Sequence, residues 1–263
     1  MISRQIKALL RANRALVVVI GFLLLWEFAS YVFRPPEYLL PFPSQVILEL
    51  FARPDIYIQN GLNTLMNTLA AFAMSTVIGI VLAIAIVHSK VLENTLYTLL
   101  VAFNSVPKVA LAPLFVLWFG TGSASKIAVA FFIAIFAIVV DAVLGLRSVQ
   151  PDMLDLAHVL GGNRLRVLVK IRMPNAMPSI FSGMKVAISF ALVGVIVGEF
   201  VAAKQGLGYV ILISQGVFNT TAVFAAIFTL SFLGTVLFFA LELLEHWLLP
   251  WHVSQRSQRL LRH

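Results

Sequence analysis

The residues in this chain with side chains able to do chemistry are few, and most lie in or beside long apolar runs. Lys108, Asp141 and Glu199 are the ionisable ones that matter first. An ionisable group at membrane depth is costly unless it pairs or faces water, so each marks either a solute path or a structural pair. Lys108 would attract an anion from a pore, or would hold a carbonyl or an acid. Asp141 would bind solute, or pair with Lys108 or Lys185, and the structural role is the expected one. Asn104, Ser105 and Ser189 add hydrogen-bonding groups on neighbouring segments. Together with Lys108, Asp141 and Glu199 they make the candidate translocation path. Metal and thiol chemistry find no support. The chain has no cysteine, and His88, His158, His246, His252 and His263 show no ligand spacing. Gly120-Thr-Gly-Ser-Ala-Ser-Lys126 resembles a phosphate-binding loop superficially, but it lacks the G-K-[ST] ending and follows no strand. No catalytic site, metal or cofactor is expected on this chain.

A second set of residues stands out by spacing. Gln150–Pro178 is the longest polar interruption in the sequence. Pro151 suits the first turn of a helix. Met153, Leu156 and Leu160 then recur on one helical face. Gly161-Gly162 fits a helix C-cap, and Asn163 fits the cap of a second helix. That second helix carries Leu165, Leu168 and Val169 on one side and Arg166 and Lys170 on another. Pro174 and Pro178 are expected to stop it. The stretch therefore reads as a bent pair of amphipathic helices, basic in its second half.

The elements that position these groups are membrane spans. The chain is 60% hydrophobic and 11% charged, against about 25% charged for ordinary globular domains. The net charge of +8 is carried by basic residues at the edges of apolar runs, which points to lipid headgroups and topology and away from nucleic acid. Six apolar regions are expected to cross: Ala15–Phe33, Leu62–Val87, Thr95–Gly120, Ile127–Leu146, Ser179–Phe200 and Ala222–Leu241. The first is expected to be retained and not cleaved as a signal peptide. Pro107 and Pro113 should kink or break the third. Glu27 in the first should face other helices. Pro41-Phe-Pro43-Ser44 reads as a turn into a short helix over Gln45–Phe51. Asn63, Thr64, Asn67 and Thr68 would cap or pack the second span. Gly194 and Gly198 form a small-xxx-small pair suited to close helix packing. Val201–Thr221 reads as a re-entrant or surface segment. The expected fold class is thus all-α: a polytopic membrane protein of about six transmembrane helices with a cytoplasmic helix pair. Residues 1–14 form an N-terminal segment, 15–250 the transmembrane domain with its loop at 150–178, and 251–263 a tail.

Six spans put both termini on one side, and the basic residues choose which. Arg4, Lys7, Arg11, Arg14, Lys90, the six basic residues from Arg147 to Lys185, and Arg256, Arg259 and Arg262 fall together. Arg34, Arg53, Lys126 and Lys204 are left for the other side. The asymmetry places the termini and the Gln150–Pro178 loop in the cytoplasm.

The loop also carries a family resemblance. Asp155-Leu156-Ala157-x-x-x-Gly161-(x9)-Ile171-x-Met173-Pro174 resembles the E-A-A-x-x-x-G-(x9)-I-x-L-P loop of bacterial ABC importer permeases, with Asp for Glu, Leu for the first Ala and Met for Leu. Ser105–Gly120, Gly145–Gln150, Val197–Phe200 and Gly206–Tyr209 are similar to the nitrate, sulfonate and taurine branch. The resemblance covers about Pro41 to Pro250. It implies a permease in the bacterial inner membrane. Asp155, Leu156, Ala157, Gly161, Ile171 and Pro174 would dock a cytoplasmic ATP-binding subunit, of which the assembly would hold two copies. It further implies a second permease copy and an external substrate-binding protein, with ATP and Mg held by the ATPase partner. The rival is a secondary transporter or channel, which predicts inverted repeats. No convincing repeat is present.

Overall fold

The computed structural model describes residues 2–92, 95, 102, 106–202 and 204–250, and the side chains of these from Val17 onward except those of residues 90 and 158. It is all-helical, with no strand among the described residues. Nine helices are named here: α1 Ile2–Phe33, α2 Pro43–Ala52, α3 Pro54–His88, α4 Ala112–Phe119, α5 Ser123–Arg147, α6 Pro151–Val159, α7 Arg164–Ala202, α8 Leu207–Gly216 and α9 Thr220–Leu248. Helices α3, α5, α7 and α9 are long and apolar enough to cross a membrane. Three shorter apolar helices accompany them, Val17–Phe33 within α1, Lys108–Phe119 and Leu207–Gly216.

The third apolar region is broken, as its prolines require. After Val106 and Pro107 the chain makes a 3-10 turn over Lys108–Leu111 before α4 starts, with Pro113 in its first turn. Other boundaries differ from expectation. The second span begins at Pro54, eight residues before Leu62, so Asn63, Thr64, Asn67 and Thr68 sit inside α3 and do not cap it. Thr64 and Thr68 are fully buried and pack there. The segment Val201–Thr221 holds α8, ten residues long, with Leu207, Gly208, Ile211 and Ser214 buried, so it is not a plain surface segment.

The largest correction concerns Pro174 and Pro178, which do not stop a helix. Asn163 starts α7, and one helix of 39 residues runs to Ala202. A proline in an α-helix lacks an N–H and pushes on the carbonyl four residues back. Here a π turn over Leu168–Arg172 immediately precedes Pro174, and the Met173 N–H reaches back five residues to the Leu168 carbonyl. The widened turn takes up the first proline. Pro178 is carried within the helix, where context outweighs its penalty.

Helices α5 and α7 form the centre. Their seam is built from small residues, because only these let two backbones approach closely. A Cβ at Gly145 would lie 3.0 Å from the Ala176 carbonyl oxygen, one at Gly198 would lie 2.9 Å from Lys126 Cα, and one at Gly194 would overlap the Ala130 backbone. Ala130, Ala134, Ala187 and Ala191 continue the seam, and Ala71 of α3 joins it from the side. Below, Ile86, Val139, Val143, Leu146 and Ile180 fill an apolar layer. Above, Val46, Tyr57, Leu207, Ile211 and Leu230 join α2, α3, α8 and α9.

Helix α1 lies outside this centre, and Glu27 and Trp26 tie it to the other helices. Glu27 accepts hydrogen bonds from the Ser44 N–H (3.0 Å) and hydroxyl (2.7 Å), capping α2. The Trp26 ring packs on Phe224 and Phe228 of α9. Glu27 therefore faces other helices, as expected.

Gly194→Val is expected to destabilise the protein by about 1–3 kcal/mol, because Ala130 backbone cannot yield to the new side chain. Gly21→Ala, at a helical site with nothing within 4 Å, should be neutral or gain up to about 1 kcal/mol. Thermal denaturation of the detergent-solubilised protein compares the two.

Candidate functional site

The loop between α5 and α7 is built residue by residue as its spacing requires. Gln150 carbonyl accepts the N–H groups of Met153 (3.1 Å) and Leu154 (3.4 Å), starting α6 behind Pro151. Gly161 takes φ +76°, a left-handed conformation that costs L-residues about 1–2 kcal/mol. The Gly162 N–H then bonds the Ala157 carbonyl at 2.9 Å, the long closing bond of a Schellman cap. Asn163 Oδ1 accepts the Arg166 N–H at 2.8 Å and caps α7.

The loop is braced where it meets the bundle. Arg172 donates to the Leu146 carbonyl at 3.5 Å, placing a cation at the C-terminal end of α5. Asn175 Nδ2 donates to Ser148 Oγ at 2.7 Å. Leu168 and Met173 pack with Leu146 and Ala176 in the apolar layer. Beyond these anchors the loop projects bare apolar side chains. Met153 is 53% exposed, Leu156 59%, Val159 84% and Leu160 76%. Asp155 and Gly161 are also exposed, whereas Ala157 and Ile171 are half-buried and Pro174 is exposed at the joint.

The candidate path residues are dispersed. Asn104 and Ser105 lie outside the described residues. Lys108 opens the 3-10 turn, half-buried, with its ammonium 5.3 Å from the ring centre of Phe136 on α5. Asp141 is half-buried on α5 against Gly183 of α7, where a Cβ would lie 2.8 Å from its own. Lys185, one of the partners considered for Asp141, forms its ion pair with Glu245 of α9. Ser189 is exposed on α7 and donates to the Lys185 carbonyl at 3.4 Å. With Ser231, Thr235, Phe238 and Phe239 it lines an open groove of about 550 Å³ between α7 and α9.

Glu199 stands apart from all of these. It is fully buried. One carboxylate oxygen accepts the Thr64 hydroxyl and the other the Gly208 N–H, both at 2.8 Å. Thr64 Oγ1 in turn accepts the Leu207 N–H at 2.9 Å, and Asn60 Oδ1 accepts the Gly206 N–H at 2.8 Å. Lys126, 4% exposed, donates to the Gln205 carbonyl at 3.0 Å, and Asn63 donates to the Gln205 side chain at 3.1 Å. This polar knot joins α3, α5, α7 and α8. Sequence reasoning missed it, having started the span at Ile127 and left Lys126 outside it. Two signals were available: a buried-type acid ending a span, and Gly206-Leu-Gly208 seven residues on, just where a helix begins.

An all-helical bundle with four membrane-length apolar helices and an apolar loop projecting from one end is the architecture of a membrane-spanning protein. The chain belongs to the family described as binding-protein-dependent transport system inner membrane component, whose model matches residues 75–249. It is an ABC importer permease of the branch that includes the taurine, sulfonate and nitrate permeases. It is 34% identical to the formylaminopyrimidine transport permease protein ThiX of Halalkalibacterium halodurans over 93% of this chain and 99% of the relative. To the taurine transport system permease protein TauC of Escherichia coli it is 29% identical, over 95% of each. In fold it is similar to a chain of the inward-facing MetNI methionine ABC transporter, with a TM-score of 0.64 and 17% identity, over 72% of this chain and 94% of that one.

Asn163→Ala removes the acceptor for the Arg166 N–H. The lost cap is worth about 1 kcal/mol, so exchange of the Arg166 amide should quicken by about fivefold in hydrogen–deuterium exchange.

Proposed function

We propose that this chain is the membrane-spanning subunit of an ATP-driven importer, and that α6 is where a cytoplasmic ATP-hydrolysing subunit grips it. The observation that carries this reading is the bare apolar face of α6. Met153, Leu156, Val159 and Leu160 stand clear of the bundle, and exposed apolar patches of this kind mark partner surfaces. Asp155, Leu156, Ala157 and Gly161 form the gripped part, while Ile171 and Pro174 lie at the joint with α7. The basic residues beside α6, from Arg147 to Arg172, support a cytoplasmic position for the loop and for both termini.

On this reading two copies of the chain form the pore and two ATPase subunits bind ATP and Mg. An external binding protein delivers solute. Nucleotide binding draws the ATPase subunits together, and the docked α6 passes that displacement to α7 as rigid-body motion. Nucleotide shifts the equilibrium only through its different affinity for the two states. The solute is small and either anionic or heterocyclic, the range spanned by relatives named for taurine and for formylaminopyrimidine. Lys108, Asp141 and Ser189, with Asn104 and Ser105, are the path-lining candidates. Glu199 contributes from behind the path by holding α8.

Val159→Asp with Leu160→Asp changes two exposed side chains and should leave the bundle folded. It should weaken binding of the ATPase subunit by at least about 100-fold, the loss expected when apolar anchors are replaced by charge. Co-purification from membranes measures this. Retention of the ATPase subunit would instead make α6 a hairpin resting on lipid headgroups. Lys108→Ala should lower ATP-driven uptake in proteoliposomes while the complex still assembles. Loss of assembly would assign Lys108 a structural role.

A further inference from the structure

We propose that Glu199 is a positioning residue for transport: with Thr64 it fastens α8 to the outer end of α7, so that the two helices move as one body. The inference rests on the importer reading above, and concerns the end of the molecule opposite α6.

The first N–H groups of any helix lack partners within it. At the start of α8 three successive ones, from Gly206, Leu207 and Gly208, are taken by side chains of Asn60, Thr64 and Glu199. Two of these acceptors belong to α3 and one to α7. Thr64 uses its hydroxyl in both directions, donating to the Glu199 carboxylate and accepting from Leu207. The carboxylate also faces the positive end of the α8 dipole.

The backbone leaves no slack around this arrangement. Gly206 has φ +117°, and a Cβ there would overlap the Glu199 carboxylate. A Cβ at Gly208 would lie 2.8 Å from Glu199 Cβ. Sliding α8 along α7 would unmake the charge-assisted hydrogen bond from the Gly208 N–H to a buried acid, an expensive change in a protein interior. Displacing α7 without α8 therefore costs far more than displacing both. The same α7 runs unbroken for 39 residues from the loop beside α6, about 58 Å at the usual helical rise. The knot thus delivers movement of one end of α7 to α8 at the other.

The chain has no cysteine, so single labels can be placed cleanly in the complete importer. Phe200 on α7 and Ile213 on α8 are both exposed. Phe200→Cys and Ile213→Cys are made separately and spin-labelled, and the distance between permease copies is measured with and without ATP plus vanadate. Both distances should shift together. Adding Thr64→Val should abolish the Ile213 shift and keep the Phe200 shift, Glu199→Gln should do the same, and Thr64→Ser should preserve both. If Ile213 stays still while Phe200 moves, or if Thr64→Val leaves the Ile213 shift intact, this proposal alone is overturned. If Phe200 itself shows no nucleotide-dependent shift, the importer reading fails and takes the proposal with it.

Discussion

Everything in this protein depends on how closely the backbones of α5 and α7 approach. Hydrocarbon offers no hydrophobic drive to hold helices together, so contact area and backbone proximity must do it. Gly194 against Ala130, Gly198 against Lys126 and Gly145 against Ala176 bring the two helices into direct contact along most of their length. The other elements lean on that pair. Helix α3 joins through Ala71 and Ala83, α9 joins through Leu237 and Leu241 against Ile188, and α1 is attached at the rim through Glu27 and Trp26.

Polar side chains are spent sparingly and at the two ends. At one end Arg172, Asn175 and Ser148 tie the α5–α7 loop to the bundle. At the other, Glu199, Thr64, Asn60 and Lys126 tie down α8. Between them alanine and glycine dominate the closest α5–α7 approaches, with Ile138, Val195 and Asp141 beside them. The bundle is thus tied by polar side chains at both ends.

The sequence disclosed composition-level features well. Spans, the broken third region, the Gly161 turn and the Asn163 cap are local, and local patterns of hydrophobicity, glycine and capping residues report them directly. It misreported what tertiary context decides. Pro174 and Pro178 read as stops because a proline's penalty is local, whereas the π turn that accommodates the first is not encoded by any single residue. Lys126 read as a loop cation because the carbonyl it serves, on Gln205, is 79 positions away. The partners of Glu199 were hidden for the same reason: Thr64 and Gly208 lie on separate helices. The resemblance of Val197–Phe200 and Gly206–Tyr209 to one branch of permeases had drawn both segments out, and the structure supplies their shared logic. The glycines are small because the carboxylate occupies the space their side chains would need.

The π turn at Leu168–Arg172 has a geometric consequence of its own. A π turn amounts to one residue more than the α-helical count, and each residue of an α-helix advances the chain by about 100°. The direction in which α6 points from the bundle is therefore indexed by residue number along α7, much as the throw of a cam is set by the tooth on which it is keyed. Side-chain chemistry sets the character of the exposed α6 face; the count of residues between Asn163 and Pro174 sets where that face is presented. An insertion or deletion in that interval would leave every α6 residue unchanged and still turn its exposed apolar face in a new direction.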